Sequence, residues 1–278
     1  CKDIALLLAV LFRAQGIGAD IALLRTADMG TADLTFPSLN SFNHAICRVA
    51  LAKPLYLDGT VRKAGILDLP QSDRDVDALV IGRDKPFSER IAGSRYSAAD
   101  EIAETVMTIQ PDLSAVCSRT VVRRGTLASG DDDPSSADGS NLSRYWTKLY
   151  PGAEVKDMTR TGGSGIPLLT RYTIELPSFA QKTDGELFIP AALVPFSLYD
   201  SFGRSVNREN DLYLGEPRES LVKMRCILPE GYEVTRLPAD ADLSFGGIRL
   251  VYAFKKDGRG GFTVFVRLSA KRSVIATK

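Results

Sequence analysis

Beyond Arg95 the sequence consists of short runs rich in β-branched and aromatic residues, separated by Gly, Pro and Asp. Within residues 262–268 apolar and polar side chains alternate, which is typical of a strand with one buried face. The runs occupy residues 104–109, 117–127, 168–176, 221–228, 249–255 and 261–268. Apolar side chains at helical spacing predict one helix at residues 141–150. This part of the chain is therefore predicted to form antiparallel, sandwich-like sheet with a helix packed on it.

The first 85 residues have a different pattern, in which one helix comes before several strands. Apolar residues recur at helical spacing over residues 3–15, which predicts a helix buried along that stripe. Strands are predicted at residues 20–25, 43–49, 54–58 and 78–81. The predicted fold class is α+β. We expect a first domain at 1–85, a linker at 86–94, and β-rich sequence at 95–278 that forms either one module or two divided near 200–215.

Composition excludes several classes of protein. The formal net charge is +1, so nucleic acid and anionic membranes are not predicted partners. The longest apolar run, residues 4–12, is far shorter than the ~20 residues that span a bilayer, so no membrane span is predicted. The four cysteines are widely spaced and lack the pairing of a structural zinc site. No metal and no organic cofactor is predicted.

His44 is the one histidine of the chain, and it opens the strand predicted at residues 43–49. If residues 50–52 form a three-residue loop, His44 lies directly opposite Asp58 on the next strand. A carboxylate in that position can fix the tautomer of the imidazole. Cys1 precedes the predicted helix, where the helix dipole favours a thiolate. Cys1, His44 and Asp58 are therefore candidates for nucleophile, general base and orienting carboxylate.

Three segments resemble the transglutaminase-like superfamily of cysteine enzymes. They are Cys1-Lys2-Asp3 before a Leu-rich helix, Phe42-Asn43-His44-Ala45-Ile46, and Tyr56-Leu57-Asp58-Gly59-Thr60. His44 follows Cys1 by 43 residues and Asp58 follows His44 by 14, as the family pattern requires. The β-rich remainder is similar to the flanking regions of bacterial members.

The resemblance implies a partial papain-like, transglutaminase-type domain followed by β modules. It also implies acyl transfer from an amide through a thioester at Cys1, His44 and Asp58. A peptide or protein amide is the implied substrate, hydrolysis the implied outcome, and an extracytoplasmic location the implied site of action.

Other interpretations of the same residues remain open at this point. The chain could be a binding or scaffold protein with a degenerate or truncated catalytic domain. Cys1, His44 and Asp58 are also possible zinc ligands by type, although they lack a spacing signature. Because the chain does not begin with Met, we expect upstream sequence in the gene product, and we expect this piece alone to be inactive. The exposed face of its first helix should then either cause self-association or retain an upstream segment.

Overall fold

The structure is a computed structural model. It describes residues 1–35, 38–61, 65–82, 85–92, 101–128, 140–163, 166–190, 209, 212–213, 218–258, 260–270 and 274–275. Strands make up 49% of these residues and helices, including 3₁₀ turns, 16%. The predicted α+β fold with a papain-like domain is therefore wrong, because the described chain is mostly β and contains two α-helices. The expected division near 200–215 lies largely outside the described residues.

The first sheet has five antiparallel strands in the order β3-β2-β1-β4-β5. The strands are β1 (Ala19–Leu24), β2 (His44–Val49), β3 (Leu55–Leu57), β4 (Asp77–Ile81) and β5 (Phe87–Arg90). Short 3₁₀ turns at Ala27–Met29, Leu39–Ser41 and Gln71–Asp73 lie in its connections. The sequence assigned Phe87–Arg90 to a linker, but these residues pair with β4 as an edge strand.

Helix α1 (Lys2–Ala14) packs along β1 and β2. Its buried residues are Ala5 and Ala9, which let the helix approach Cys47 and Val49 closely. The larger side chains Ile4, Leu6, Leu7, Val10 and Leu11 are exposed. The predicted buried stripe is thus only partly right, since Leu8 and Phe12 pack inward whereas Ile4, Leu7 and Leu11 do not. The helix leaves an apolar face uncovered among the described residues.

The five-stranded sheet curls enough to bring its two edge strands into contact. The hydroxyl of Tyr56 on β3 donates to Glu89 Oε2 on β5 over 2.6 Å. Arg48 on β2 donates from Nε to the same carboxylate oxygen over 2.5 Å. Strong right-handed twist is the usual origin of such curling. The concave side encloses a core that includes Leu24, Ile46 and Val80.

The second sheet has eight strands in the order β14-β15-β16-β13-β6-β7-β9-β8. They are β6 (Glu101–Ile109), β7 (Ala115–Arg123), β8 (Glu154–Gly163), β9 (Ile166–Leu176), β13 (Arg218–Ile227), β14 (Ala241–Phe245), β15 (Ile248–Asp257) and β16 (Gly261–Ala270). The remaining strands form two ribbons, β10 (Gln181–Thr183) with β11 (Glu186–Phe188) and β12 (Leu212–Tyr213) with β17 (Val274–Ile275). The prediction of strands was correct here, but the prediction of antiparallel pairing throughout was wrong, because β13 runs parallel to β6.

One face of the eight-stranded sheet is covered and the other is exposed. Burial alternates along β6 and β7, as a sheet with one solvated face requires. Helix α2 (Ser140–Leu149) contributes Leu142 and Trp146 to the covered face. Trp146 is 1% exposed and is therefore a core residue of this sheet. Of the helices in the described ranges, neither has the length and apolar character of a membrane span.

Candidate functional site

The candidate residues gather at one end of the five-stranded sheet. Only residues 15–18 separate α1 from β1, so the helix runs antiparallel to that strand. Thirteen helical residues and six extended residues both cover about 20 Å, so Cys1 lies toward the Leu24 end of β1. Leu24 pairs with His44, the first residue of β2. The fold therefore brings the start of α1 and the start of β2 to the same end.

His44 and Asp58 are in contact, as predicted. His44 Nε2 lies 3.2 Å from Asp58 Oδ2, which is hydrogen-bond distance. The predicted register was nevertheless wrong by two residues, since Val49 pairs with Leu55 rather than with Lys53. The connection is thus residues 50–54, and β3 ends at Leu57 just before Asp58. A register shift of two residues keeps every side chain on the same face of the sheet, which explains why His44 and Asp58 still meet.

Four further hydrogen bonds hold Asp58 and the residue before His44. Thr60 donates to Asp58 Oδ1 from its backbone N over 2.8 Å and from Oγ1 over 2.7 Å, leaving Oδ2 directed at the imidazole. Before β2, Asn43 Oδ1 accepts from the Thr26 backbone N over 2.8 Å, and Asn43 Nδ2 donates to Thr26 Oγ1. The Thr60 bonds orient the Asp58 carboxylate, and the Asn43 bonds tie the residue before β2 to the segment that follows β1.

Asp73 is a member of the site that the sequence analysis did not identify. It ends the 3₁₀ turn Gln71–Asp73, and its Oδ2 lies 3.6 Å from His44 Nε2. Its side chain is 1% exposed, and within the described chain Oδ2 has no hydrogen-bond partner. No motif or spacing marks this aspartate, because it comes from a connection between strands that only the fold brings back to His44.

The pKa values of the two carboxyl groups are shifted in opposite directions. Burial raises the pKa of Asp73 to about 6, and the nearby Asp58 carboxylate adds to this effect. Burial also acts to raise the pKa of Asp58, but hydrogen bonds from His44 and Thr60 outweigh it, and the Asp58 pKa is lowered. The hydrogen bond to Asp58 raises the pKa of His44. Asp58 is therefore the ionised partner of the imidazole.

Cys1 lies at the start of α1. It is the N-cap residue of that helix and is exposed. Among the described residues, no hydrogen bond joins the Cys1 thiol to the His44 ring. The other three cysteines are buried, and burial raises the pKa of Cys47 to about 11. The catalytic roles of Cys1, His44 and Asp58 stay a prediction.

Comparisons with known proteins add little to this picture. No protein-family model matches the chain, and no curated protein matches it. One solved structure, that of a candidate protease from Parabacteroides distasonis, is similar with a TM-score of 0.48 and 12% sequence identity. The match covers 99% of this chain, which spans 38% of the length of that protein.

Proposed function

We propose that this chain carries the catalytic residues of a cysteine-dependent hydrolase that acts on amide bonds, in the manner of the transglutaminase-like enzymes its motifs resemble. The observation that carries the proposal is the hydrogen bond between His44 Nε2 and Asp58 Oδ2, at the end of the sheet where α1 begins. In this arrangement Nε2 holds its proton toward Asp58, and Nδ1 is left as the proton acceptor.

The chemistry follows from that tautomer. His44 Nδ1 takes the thiol proton of Cys1, and the thiolate sulfur attacks the carbonyl carbon of the amide. The tetrahedral species collapses when the C–N bond breaks and His44 returns the proton to the leaving amine. A thioester remains on Cys1. Water then attacks this carbonyl, His44 accepts a proton from it, and the C–S bond breaks to release a carboxylic acid and the free thiol.

Asp58 supports His44 in both halves of this cycle. Its ionised carboxylate stabilises the imidazolium that forms after each proton transfer, and its hydrogen bond keeps Nδ1 free. An amine in place of water would give transamidation by the same steps. Hydrolysis is the proposed outcome, as the resemblance implies, and a peptide or protein amide is the proposed substrate.

The test is amide hydrolysis by the full gene product that contains this chain. A peptide amide library should be cleaved, and Cys1→Ser should abolish cleavage. Replacement of the base by His44→Ala should lower kcat/KM by about 10²–10⁴. Iodoacetamide labelling at pH 7, read by mass spectrometry, should modify Cys1 first and should slow in His44→Ala.

Arg48→Lys provides a control outside the proposed site, because Arg48 lies on the same strand but bonds to Glu89. Its turnover should match that of the wild type in enzyme shown to be folded. Cleavage that persists in Cys1→Ser would refute the proposal. So would a folded, full-length protein that neither cleaves amides nor forms a covalent adduct at Cys1, and that result would favour a binding or scaffold role.

A further inference from the structure

We propose that His44, Asp58 and Asp73 form a binding site for a divalent cation of the Zn²⁺ type, and that the bound ion switches off the cysteine chemistry. The second half of this inference rests on the proposed function, whereas the first half does not. The three residues come from the start of β2, the end of β3 and a 3₁₀ turn. Their ligand atoms lie within 4.8 Å of one another.

Burial is the first reason to assign a cation here. The side chains of Asp58 and Asp73 are 3% and 1% exposed, and that of His44 is 14% exposed. Two carboxylates held together away from water are costly unless a cation or hydrogen-bond donors compensate them. Asp73 Oδ2 faces His44 Nε2 over 3.6 Å, but it accepts no hydrogen bond among the described residues, because that ring nitrogen already bonds to Asp58.

Distance is the second reason. Zinc bonds of 2.0–2.2 Å in a tetrahedral site separate neighbouring ligand atoms by about 3.3–3.6 Å. His44 Nε2 lies 3.2 Å from Asp58 Oδ2 and 3.6 Å from Asp73 Oδ2. Both separations from the imidazole are therefore close to those of a tetrahedral zinc site, and the two carboxylate oxygens lie within 4.8 Å of each other. Three protein ligands leave a fourth position for water, as in open zinc sites.

The surrounding hydrogen bonds are those expected around metal ligands. Thr60 donates two hydrogen bonds to Asp58 Oδ1, and the hydroxyl of Ser72 donates one to Asp73 Oδ1 over 2.9 Å. Both carboxylates are thereby oriented with Oδ2 facing the imidazole, as outer-shell partners do in metal sites. One imidazole with two carboxylates suits Zn²⁺ better than Ca²⁺ or Mg²⁺, which prefer six or more oxygen ligands.

The bound ion would make catalysis impossible without changing the fold. Nε2 must give its lone pair to the cation, so the remaining ring proton sits on Nδ1. Nδ1 is the atom that would accept the Cys1 proton, and in this state it is a donor. The occupied site and the active base thus exclude each other.

His44 is the only histidine, so nuclear magnetic resonance of ¹⁵N-histidine-labelled protein observes this one ring. We expect one equivalent of ZnCl₂, added to metal-free protein, to shift the Nε2 resonance and leave Nδ1 protonated. Equilibrium dialysis should find one ion per chain. Unchanged imidazole signals in the wild type would overturn the proposal, whatever the variants do.

Asp73→Asn should weaken binding at least tenfold, since it removes a ligand while retaining the His44–Asp58 pair. The matched control is Asp75→Asn, because Asp75 lies two residues away and pairs with Arg90 at the surface. That control and Cys1→Ser should bind as the wild type does. Equal affinity in folded Asp73→Asn, or loss of the ion in Cys1→Ser, would refute the assignment.

The switch is tested separately from the site. Amide hydrolysis by the full gene product is first measured with chelator present. When the chelator is removed and stoichiometric Zn²⁺ is added, the rate should fall at least tenfold, and Asp73→Asn should resist that fall. Undiminished hydrolysis with the ion bound would refute the switch. A protein that binds Zn²⁺ through His44 but hydrolyses no amide with chelator present would instead refute the proposed function and retain the cation site.

Discussion

At the scale of single residues, the geometry of Asp58 depends on the absence of a side chain at Gly59. A Cβ on Gly59 would lie 2.2 Å from Ile4 Cγ2 and 3.2 Å from Leu8 Cδ1. Both neighbours belong to the first turns of α1. The contact of Gly59 with this helix therefore joins the segment that carries Asp58 to the segment that begins at Cys1.

We predict that Gly59→Ala lowers the free energy of unfolding by about 1–3 kcal/mol, because Ile4 is β-branched and cannot move aside without displacing α1. Urea unfolding measures the loss. The control is Gly258→Ala, where an added Cβ meets nothing within 4 Å. If the two variants were equally stable, the packing of α1 on Gly59 would be disproved.

Residue types and spacing were enough to predict the His44–Asp58 pair but not Asp73. His44 begins β2 and Asp58 directly follows the neighbouring strand β3, and an error of two residues in a hairpin register leaves each side chain on the same face of the sheet. Asp73 enters from a distant connection, and its approach depends on how that connection folds back. The residue pattern around Asp73 therefore does not predict that this connection folds back toward His44.

At the scale of secondary-structure elements, one polar cluster joins the two edge strands of the curled first sheet. Glu89 accepts hydrogen bonds from Arg48 and Tyr56, which come from the opposite side of the sheet. The hydrogen bond from Arg48, with a smaller contribution from Tyr56, holds the pKa of Glu89 below its usual range although burial opposes this. A carboxyl whose pKa is lower in the folded state stabilises the protein above its unfolded pKa of about 4.3.

We predict that this stabilisation is complete near neutral pH and is lost as the pH falls through the lowered pKa of Glu89. Glu89→Gln should therefore cost about 1–2 kcal/mol at pH 7 and much less at pH 3. Thermal melts at both pH values check this. Glu104→Gln changes an exposed strand glutamate and should be neutral throughout. A penalty for Glu89→Gln that did not shrink in acid would contradict the ionic origin.

Helix α1 was predicted correctly as an element, but the face that it buries was not. The apolar stripe predicted from the sequence is wider than the contact with the sheet, because the fully buried helix residues are two alanines, with Leu8 and Phe12 packed beside them. Leu7 and Leu11 are consequently 57% and 54% exposed. Side chains of this size on one helix turn after another form a surface that favours association.

We predict that the chain self-associates at micromolar concentration through this face. Sedimentation velocity should show a shift toward monomer when Leu7 and Leu11 are both changed to Lys, since two charges in the contact oppose burial. Leu39→Lys is the control, because Leu39 is also exposed but lies outside the helix. A wild-type chain that sediments as a monomer would rule out the association.

At the scale of the whole molecule, the sequence predicted the strands better than their arrangement. The alternation that marks β6 or β16 is local, so it survives in any sheet. Whether two strands run parallel, and whether strands form one sheet or two packed sheets, depends on connections between distant segments. The parallel pairing of β13 with β6 and the single eight-stranded sheet both depend on such distant connections. The fold class was predicted wrongly for the same reason.

The buried clusters of the two sheets have no residue in common within the described chain. The core around Trp146 draws on residues from Ala103 to Val266, and the cores of the first sheet draw on residues up to Ile91. Because each sheet covers its own apolar side chains, neither set of core contacts needs the other in order to form.

We therefore predict that a polypeptide of residues 95–278 folds by itself and melts cooperatively. Trp146 is the only tryptophan and is buried, so its fluorescence follows this sheet alone. Its transition should occur at nearly the same temperature in residues 95–278, in the whole chain and in Gly59→Ala. Trp146→Ala, by contrast, should cost about 3–5 kcal/mol, with far-ultraviolet circular dichroism as the readout. A solvent-exposed tryptophan spectrum from residues 95–278, or a Trp146 transition lowered by Gly59→Ala, would mean that the eight-stranded sheet depends on the first 92 residues for its stability.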